Sequence, residues 1–308
     1  MISISVKAPA KLNLFLLVLN KRQDGFHDIA TLFERIDLFD KITLKKSKDN
    51  RIIVSCDNPQ VPRDNKNIVY KAADILRKRF LIREGLNISI EKNIPVAAGL
   101  GGGSSDAAAV LLALNKLWQL KLEKKALLKI AAEIGADVPF FITGSRFSLS
   151  LQPQQSFKPI NTRLRLWHIL VVPKISLSTK RVFEQFDRLK QPGFNRVLGG
   201  VLSPNLTLTK KGKNVNMLTR LLAKSGKFSN YGFVTRSHFN SLEPAAYVLT
   251  AQINKIKREL LRLGACSVGM SGSGPSVFAI VGSRKEGEGF KKRLSRFKDW
   301  RTFIARTF

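Results

Sequence analysis

Ile94-Pro95-Val96-Ala97-Ala98-Gly99-Leu100-Gly101-Gly102-Gly103-Ser104-Ser105-Asp106-Ala107-Ala108-Ala109 decides how this chain is read. Before it, Leu86, Ile88 and Ile90 alternate with Asn87, Ser89 and Glu91, the period-2 signature of a half-buried strand. After it, from Ser105 to about Trp118, Ala, Val and Leu fall on nearly every face, which predicts a helix enclosed by other elements. A flexible Gly-Ser linker is a poor match for a segment pinned between a strand and a buried helix. Glycines that open onto a helix start let the backbone approach a ligand closely, and the free N–H groups and positive dipole end there favour an anion. Ser104 and Ser105 add hydroxyls at the same spot. The stretch reads as a phosphate cradle.

The common cradles do not fit it. A Walker A loop needs a Lys before its final Ser or Thr, and the G-x-G-x-x-G fingerprint fails because Ser104 takes the last glycine position. The H-R-D and D-F-G signatures of protein kinases occur nowhere. The loop instead resembles the Pro-x-x-x-Gly-Leu-Gly-x-x-Ser-Ser ATP loop of the GHMP family of small-molecule kinases. That resemblance implies ATP contacts from Pro95, Gly99, Leu100, Gly101, Gly102, Gly103, Ser104 and Ser105, with Ser105 also meeting Mg²⁺.

Length and composition bound the alternatives. The 308 residues suffice for about two domains, each with its own core. A hydrophobic content of 44% with 24% charged residues is that of an ordinary folded protein. No apolar run approaches the ~20 residues of a membrane span. The alternation of Ile2, Ile4 and Val6 leaves no room for a leader, so a cytoplasmic protein is expected. Cys56 and Cys266 are too far apart for a metal knuckle, and His27, His168 and His238 lack metal-ligand spacing. Lys and Arg outnumber Asp and Glu by 53 to 22, a net charge of +31 spread along the chain. Such a surface attracts nucleic acid weakly and without specificity, and no specific nucleic-acid or membrane partner is expected.

Other stretches carry chemistry. Residues 2–19 read as one or two strands interrupted by Pro9, with Lys11 and Asn13 on the face opposite Leu12, Leu14 and Leu16. Asp24-Gly25 marks a hairpin turn, and Phe26-His27 joins an aromatic ring to an imidazole, a pair that can stack on and hydrogen-bond to a pyrimidine. The run from Pro9 to Leu16, followed by Asp24-Gly25-Phe26-His27, resembles the opening of one GHMP branch. That branch phosphorylates a cytidine-diphosphate-bearing polyol of the non-mevalonate isoprenoid route, and it commonly has Tyr where Phe26 stands. Asp137 in Gly135-Ala136-Asp137-Val138-Pro139-Phe140-Phe141 reads by position as a turn or cap, and by resemblance as the branch's general base. Gly269 to Ser276 reads as a tight turn and resembles the family's third motif. Past Phe141 the family continues through Gly-Thr-Ala and an acidic glycine turn. Here Gly144-Ser145-Arg146-Phe147-Ser148-Leu149-Ser150-Leu151-Gln152 keeps only a strand alternation.

Helices are expected from Asn67 to about Phe80, over Leu127–Ile134 with Gly135 as C-cap, and as one long amphipathic piece from His238 to near Leu263-Gly264. Strands are expected at 31–44, 52–55, 166–172 and 277–281, a domain boundary within 153–166, and variable loops with short helical pieces over 191–231.

The resemblance implies an α+β, two-domain fold: residues 1–160 as an ATP-binding domain of ribosomal-protein-like βαβ type, residues 161–308 as a ferredoxin-like domain, and the active site in the cleft between them. Lys11 and Asp137 would be catalytic. Asn67 would lie near the adenine, although a helix cap is an equal reading. Asn13, Phe26, His27, Phe183, Gly272 and Ser273 would hold the substrate, with Phe183 facing Phe26 across the base; as a sequence position Phe183 reads equally as a core residue. ATP and Mg²⁺ are the implied cofactors, and the state monomer or homodimer. Homoserine or mevalonate kinases share the glycine loop, and a non-catalytic basic nucleic-acid-binding protein on the same scaffold is the remaining alternative.

Overall fold

A computed structural model describes residues 2–151, 156–190 and 238–308. β1 (Ser3–Lys21) and β2 (His27–Ser47) form a long antiparallel hairpin closed at Asp24-Gly25, where Gly25 has φ +83°. Pro9 does not divide β1. The register shifts between Pro9 and Ala10, and a bulge tolerates the residue that lacks an N–H. β3 (Ile52–Cys56) pairs with β4 (Gly85–Glu91), which runs along the C-terminal part of β2. β5 (Phe147–Leu151) pairs with the N-terminal part of β2, and β6 (Ser156–Ile160) pairs with β5.

Four helices pack on this sheet: α1 (Ile68–Arg79), α2 (Gly102–Leu117), α3 (Lys124–Ile134) and α4 (Val138–Thr143). They share one core with Phe33, Ile42, Leu44 and Ile88. α2 is buried along most of its length, as its Ala-rich sequence demands, and it starts at Gly102, three residues before Ser105. Gly135 does cap α3, but in extended backbone (φ 179°), so no left-handed turn calls for glycine there.

The chain passes to a second sheet between Ile160 and Trp167. β7 (Trp167–Pro173) is followed by α5 (Thr179–Leu189), and the short strand β8 (Phe239–Asn240) returns to pair in parallel with β1. Then come α6 (Glu243–Leu249), α7 (Ala251–Arg262), β9 (Val268–Met270), β10 (Val277–Val281), α8 (Arg284–Leu294) and β11 (Trp300–Arg306). The strand order β11-β7-β10-β9, antiparallel throughout, is the ferredoxin-like arrangement. The single long helix expected up to Leu263 is broken in two. Thr250 takes an extended backbone (φ −157°, ψ 131°), and its side chain caps α7 by accepting the Gln252 N–H. The loops read at 191–231, and residues 153–155 of the boundary segment, lie outside the described residues.

A third core joins the sheets: Leu12, Leu14 and Ile36 meet Leu170, Val172, Phe278 and Ile280. The layers therefore run helices, sheet, sheet, helices. Ile94, Ala98 and Leu100 belong to the same core, so the glycine loop is rooted where the sheets meet. Among the described residues no helix is long and apolar enough to cross a membrane.

Candidate active site

A cleft of about 1170 Å³ is lined by the glycine loop, β1, the β1–β2 turn, Asp137, the start of α5 and the 272–274 turn. Gly99 (φ +75°) and Gly101 (φ +68°) hold left-handed backbone. At Gly99 the freedom is needed twice over, because a Cβ would sit 2.2 Å from the Ser271 carbonyl oxygen. The two glycine loops thus touch backbone to backbone. The Ser271 hydroxyl donates to the Gly99 carbonyl at 3.0 Å and accepts the Asn13 N–H at 3.2 Å. Asn240 holds the second loop from behind, its Nδ2 donating to the carbonyls of Met270 (2.9 Å) and Gly272 (2.8 Å). Gly101 is the N-cap of α2, and no side chain caps the helix, so its first-turn N–H groups face the cleft as anion donors.

β1 delivers the charged pair. The Lys11 N–H donates to the Leu100 carbonyl at 2.9 Å, tying strand to loop. Its side chain then runs across Gly101, where a Cβ would come within 2.8 Å of Lys11 Cγ. Lys11 Nζ donates to Asn13 Oδ1 at 2.5 Å and lies 3.6 Å from Asp137 Oδ2. Asn13 is fixed in turn, its Nδ2 donating to Thr31 Oγ1 at 2.8 Å and that hydroxyl donating to the Phe15 carbonyl. Lys11 is buried, and burial pulls its pKa below the ordinary lysine value although Asp137 works in the opposite direction. Asp137 occupies the N-cap position of α4, yet its carboxylate makes no capping hydrogen bond. It is turned to the cleft and to Lys11. The arrangement can take a proton at the carboxylate and stabilise negative charge at the ammonium.

At the other end of the cleft His27 stacks on Phe183 with ring centroids 4.9 Å apart, and Phe186 meets it edge-on. Phe183 was expected to face Phe26. The ring against it is His27, because Phe26 sits at the tip of the β1–β2 turn and is 73% exposed. Asp187, one helical turn beyond Phe183 on α5, fixes the imidazole: His27 Nε2 lies 2.7 Å from Asp187 Oδ1, and Lys21 Nζ donates to Oδ2 at 2.7 Å. Burial would raise the Asp187 pKa, but these two hydrogen bonds outweigh it and hold the carboxyl below its usual range. Thr179 and Ser273 share a hydroxyl hydrogen bond of 2.8 Å, which links α5 to the second glycine loop.

Asn67 follows its helix-cap reading, and Ser105 sits differently from its expected place. The Asn67 side chain caps α1, with Oδ1 accepting the Val69 N–H and Nδ2 donating to the Pro62 carbonyl, so both ends of its amide are committed although it borders the cleft. Ser105, expected to meet Mg²⁺, is 1% exposed and its hydroxyl is buried in α2 without a partner. The hydroxyl facing the cleft is that of Ser104, because the earlier start of α2 turns residue 105 toward the core. Sequence reasoning also missed Lys92, which lies under the loop and donates to Asp106 Oδ2 at 2.6 Å and to Asp40. Burial, helped by the nearby Asp40, raises the Asp106 pKa to about 7 against the opposing pull of Lys92. Among the described residues no three His, Cys, Asp or Glu side chains come together as a metal cluster.

Residues 67–145 match the GHMP kinases N terminal domain and residues 232–299 the GHMP kinases C terminal domain. The chain is 38% identical to the 4-diphosphocytidyl-2-C-methyl-D-erythritol kinase of Acetivibrio thermocellus over 99% of both proteins. It is also 38% identical to that of Bacillus thuringiensis (strain Al Hakam), over 91% of this chain and 88% of the relative. Among solved structures it is similar to a 4-(cytidine 5'-diphospho)-2C-methyl-D-erythritol kinase, with a TM-score of 0.73 and 27% identity over 98% of each chain.

Proposed function

The chain belongs to the GHMP kinases, and within them to the 4-diphosphocytidyl-2-C-methyl-D-erythritol kinases; from that premise we propose how its cleft works. It transfers the γ-phosphoryl group of ATP to the 2-hydroxyl of 4-diphosphocytidyl-2-C-methyl-D-erythritol, in the non-mevalonate route to isoprenoids. The observation that carries this reading is the Lys11–Asp137 pair at the meeting of two glycine loops.

Phosphoryl transfer asks a protein chiefly for positioning and for neutralisation of the charge spread over the phosphoryl oxygens. The uncapped N–H groups at the start of α2 and the loop around Gly99–Gly103 hold the ATP phosphates. Asp137 takes the proton of the attacking hydroxyl, and Lys11 stabilises the charge that develops there. Asn13, Gly272 and Ser273 hold the acceptor's polyol and diphosphate. His27 and Phe183, with the open ring of Phe26, receive the cytosine. Hard oxygen donors border the loop, the Ser104 hydroxyl and the unpartnered Oδ1 of Asp106, and they suit Mg²⁺ bound mainly through phosphate oxygens. When bound, Mg²⁺ neutralises phosphate charge.

The test is ADP release from ATP with 4-diphosphocytidyl-2-C-methyl-D-erythritol, homoserine or mevalonate as acceptor, and Asp137→Asn as control. Turnover is expected with the cytidylated acceptor alone and is lost in the variant. Turnover with homoserine or mevalonate instead would move the substrate assignment.

A further inference from the structure

The kinase cleft does not use one cluster of cations that have no carboxylate partner among the described residues. A separate cavity of about 870 Å³ opens where the end of α4, β6 and the end of β11 meet, and it shares no lining residue with the cleft. Lys7, Arg35, Arg146, Arg165 and Arg306 line it, and Asp37 is the one acidic side chain among the described residues that do. Asp37 is held through Oδ1, which accepts the Arg306 backbone N–H at 2.6 Å. Among the described residues none of the five cations has a carboxylate within ion-pair distance, and the remaining residues of the chain include no Asp or Glu. Lys21, Lys92 and Arg262, by contrast, each have a carboxylate partner.

The cluster is also built. Arg35 lies 5.1 Å from the Phe308 ring centroid, Arg306 lies 5.3 Å from that of Trp167, and Lys7 lies 5.3 Å from that of Phe39, so aromatic rings hold three of the cations in place. Arg35 donates through Nη2 to the Gly144 carbonyl at 2.6 Å, while its buried Nε has no hydrogen-bond partner. The charges strain against one another. Burial and then Arg146 hold the Arg35 guanidinium below its usual range, and burial followed by Arg146 and Arg306 does the same to Arg165. Arg146 and Ser145 come from the 144–152 stretch, where the sequence departs from the GHMP pattern.

Planar guanidinium forks match phosphate oxygens two at a time, and a cavity of this volume accommodates a small organic ligand. We propose that this cavity is a second anion site, apart from the kinase cleft, that takes a phosphorylated small molecule of the diphosphate class. Five cations outnumber the one acidic side chain in the lining, an excess that fits a diphosphate better than a single phosphate.

Isothermal titration with inorganic pyrophosphate tests this, with ADP at saturation so that the phosphate loop of the cleft is filled. The wild-type protein, Arg146→Ala/Arg165→Ala and Arg146→Lys would be compared, with circular dichroism and kcat as controls for folding. One pyrophosphate per wild-type chain is expected, bound at least about tenfold more weakly by the double alanine variant. Arg146→Lys should fall between them, since it keeps the charge and loses the fork. All three should keep the same kcat and KM for ATP. The proposal is overturned if pyrophosphate does not bind the ADP-loaded wild type, if the double variant binds it as well as wild type, or if only a short RNA binds there.

Discussion

Removing the Asp137 carboxylate perturbs both members of the central pair. Lys11 Nζ stands 3.6 Å from Asp137 Oδ2, and two unit charges at that spacing attract by about 4–5 kcal/mol at an effective dielectric constant near 20. Solvent reduces this, because the Asp137 side chain is 32% exposed, and a coupling of about 2–3 kcal/mol is expected. Asp137→Asn and Lys11→Met should each lower kcat by roughly 10²–10³, with KM for ATP little changed. Because the two groups act as a unit, the double variant should fall no more than about tenfold below the worse single one. A second readout follows from the lysine. Burial already pulls its pKa down and Asp137 pushes it up, so in Asp137→Asn the alkaline limb of the kcat–pH profile should move to lower pH. The assay is steady-state ADP release by the four proteins between pH 6 and about 10. Losses that simply add, with no movement of the alkaline limb, would refute the pairing, and a near-normal kcat in both single variants would refute the roles.

Three other perturbations probe other parts of the cleft and fold. Asp187→Ala frees His27 and Lys21 and should raise KM for the cytidylated acceptor about tenfold, the worth of a charge-assisted hydrogen bond, while KM for ATP holds; equal rises in both would remove Asp187 from base recognition. Gly99→Ala places a Cβ 2.2 Å from the Ser271 carbonyl oxygen at φ +75°, so it should part the two loops, raise KM for both substrates and lower Tm by several degrees; normal kinetics would show that the loops need not touch. His238 has its pKa lowered from 6.5 to about 4 by burial, then by His168 and Lys257. Between those values the unfolded chain binds the extra proton, so stability should fall as pH drops, by at most roughly 1.4 kcal/mol per pH unit. Thermal melts of wild type and His238→Gln from pH 7 to 4.5 should show a shallower loss in the variant, and parallel curves would contradict it.

Local patterns were legible where one element settles its own structure. The alternation at Leu86, Ile88 and Ile90, the Asp24-Gly25 turn and the Ala-rich helix are decided by neighbours in sequence, and they form as read. Thr250 was illegible because the amphipathic pattern continues through it, and only the backbone shows that the helix stops and restarts there. Ser104 and Ser105 could not be told apart in sequence. Which of them faces the cleft depends on where α2 begins, and Gly102 and Gly103, poor helix formers in isolation, are its first turn. Asp187, Asn240 and Lys92 carried no motif, since each acts through a residue far away in the chain: His27, Gly272 and Asp106 with Asp40.

The cleft is a junction that neither half of the chain could make alone. Lys11, Asp137 and the 99–105 loop come from the helix-covered first sheet and its connections, whereas the backbone that Gly99 leans on belongs to the turn between β9 and β10. A buried ammonium is costly unless its protons are matched. Lys11 meets Asn13 Oδ1, the Asp137 carboxylate and the Phe33 ring 5.3 Å away, and Asn13 is itself fixed by Thr31 and Ser271. Ser271 lies in the second half, so the orientation of the charge that would meet the transferring phosphoryl group depends on the docking of the two sheets. The apolar core shared by Leu12, Ile36, Leu170 and Phe278 supplies that docking, and it offsets the desolvation that Lys11 incurs. Loosening this core, far from the reacting atoms, should therefore lower kcat through Lys11 before it unfolds the protein.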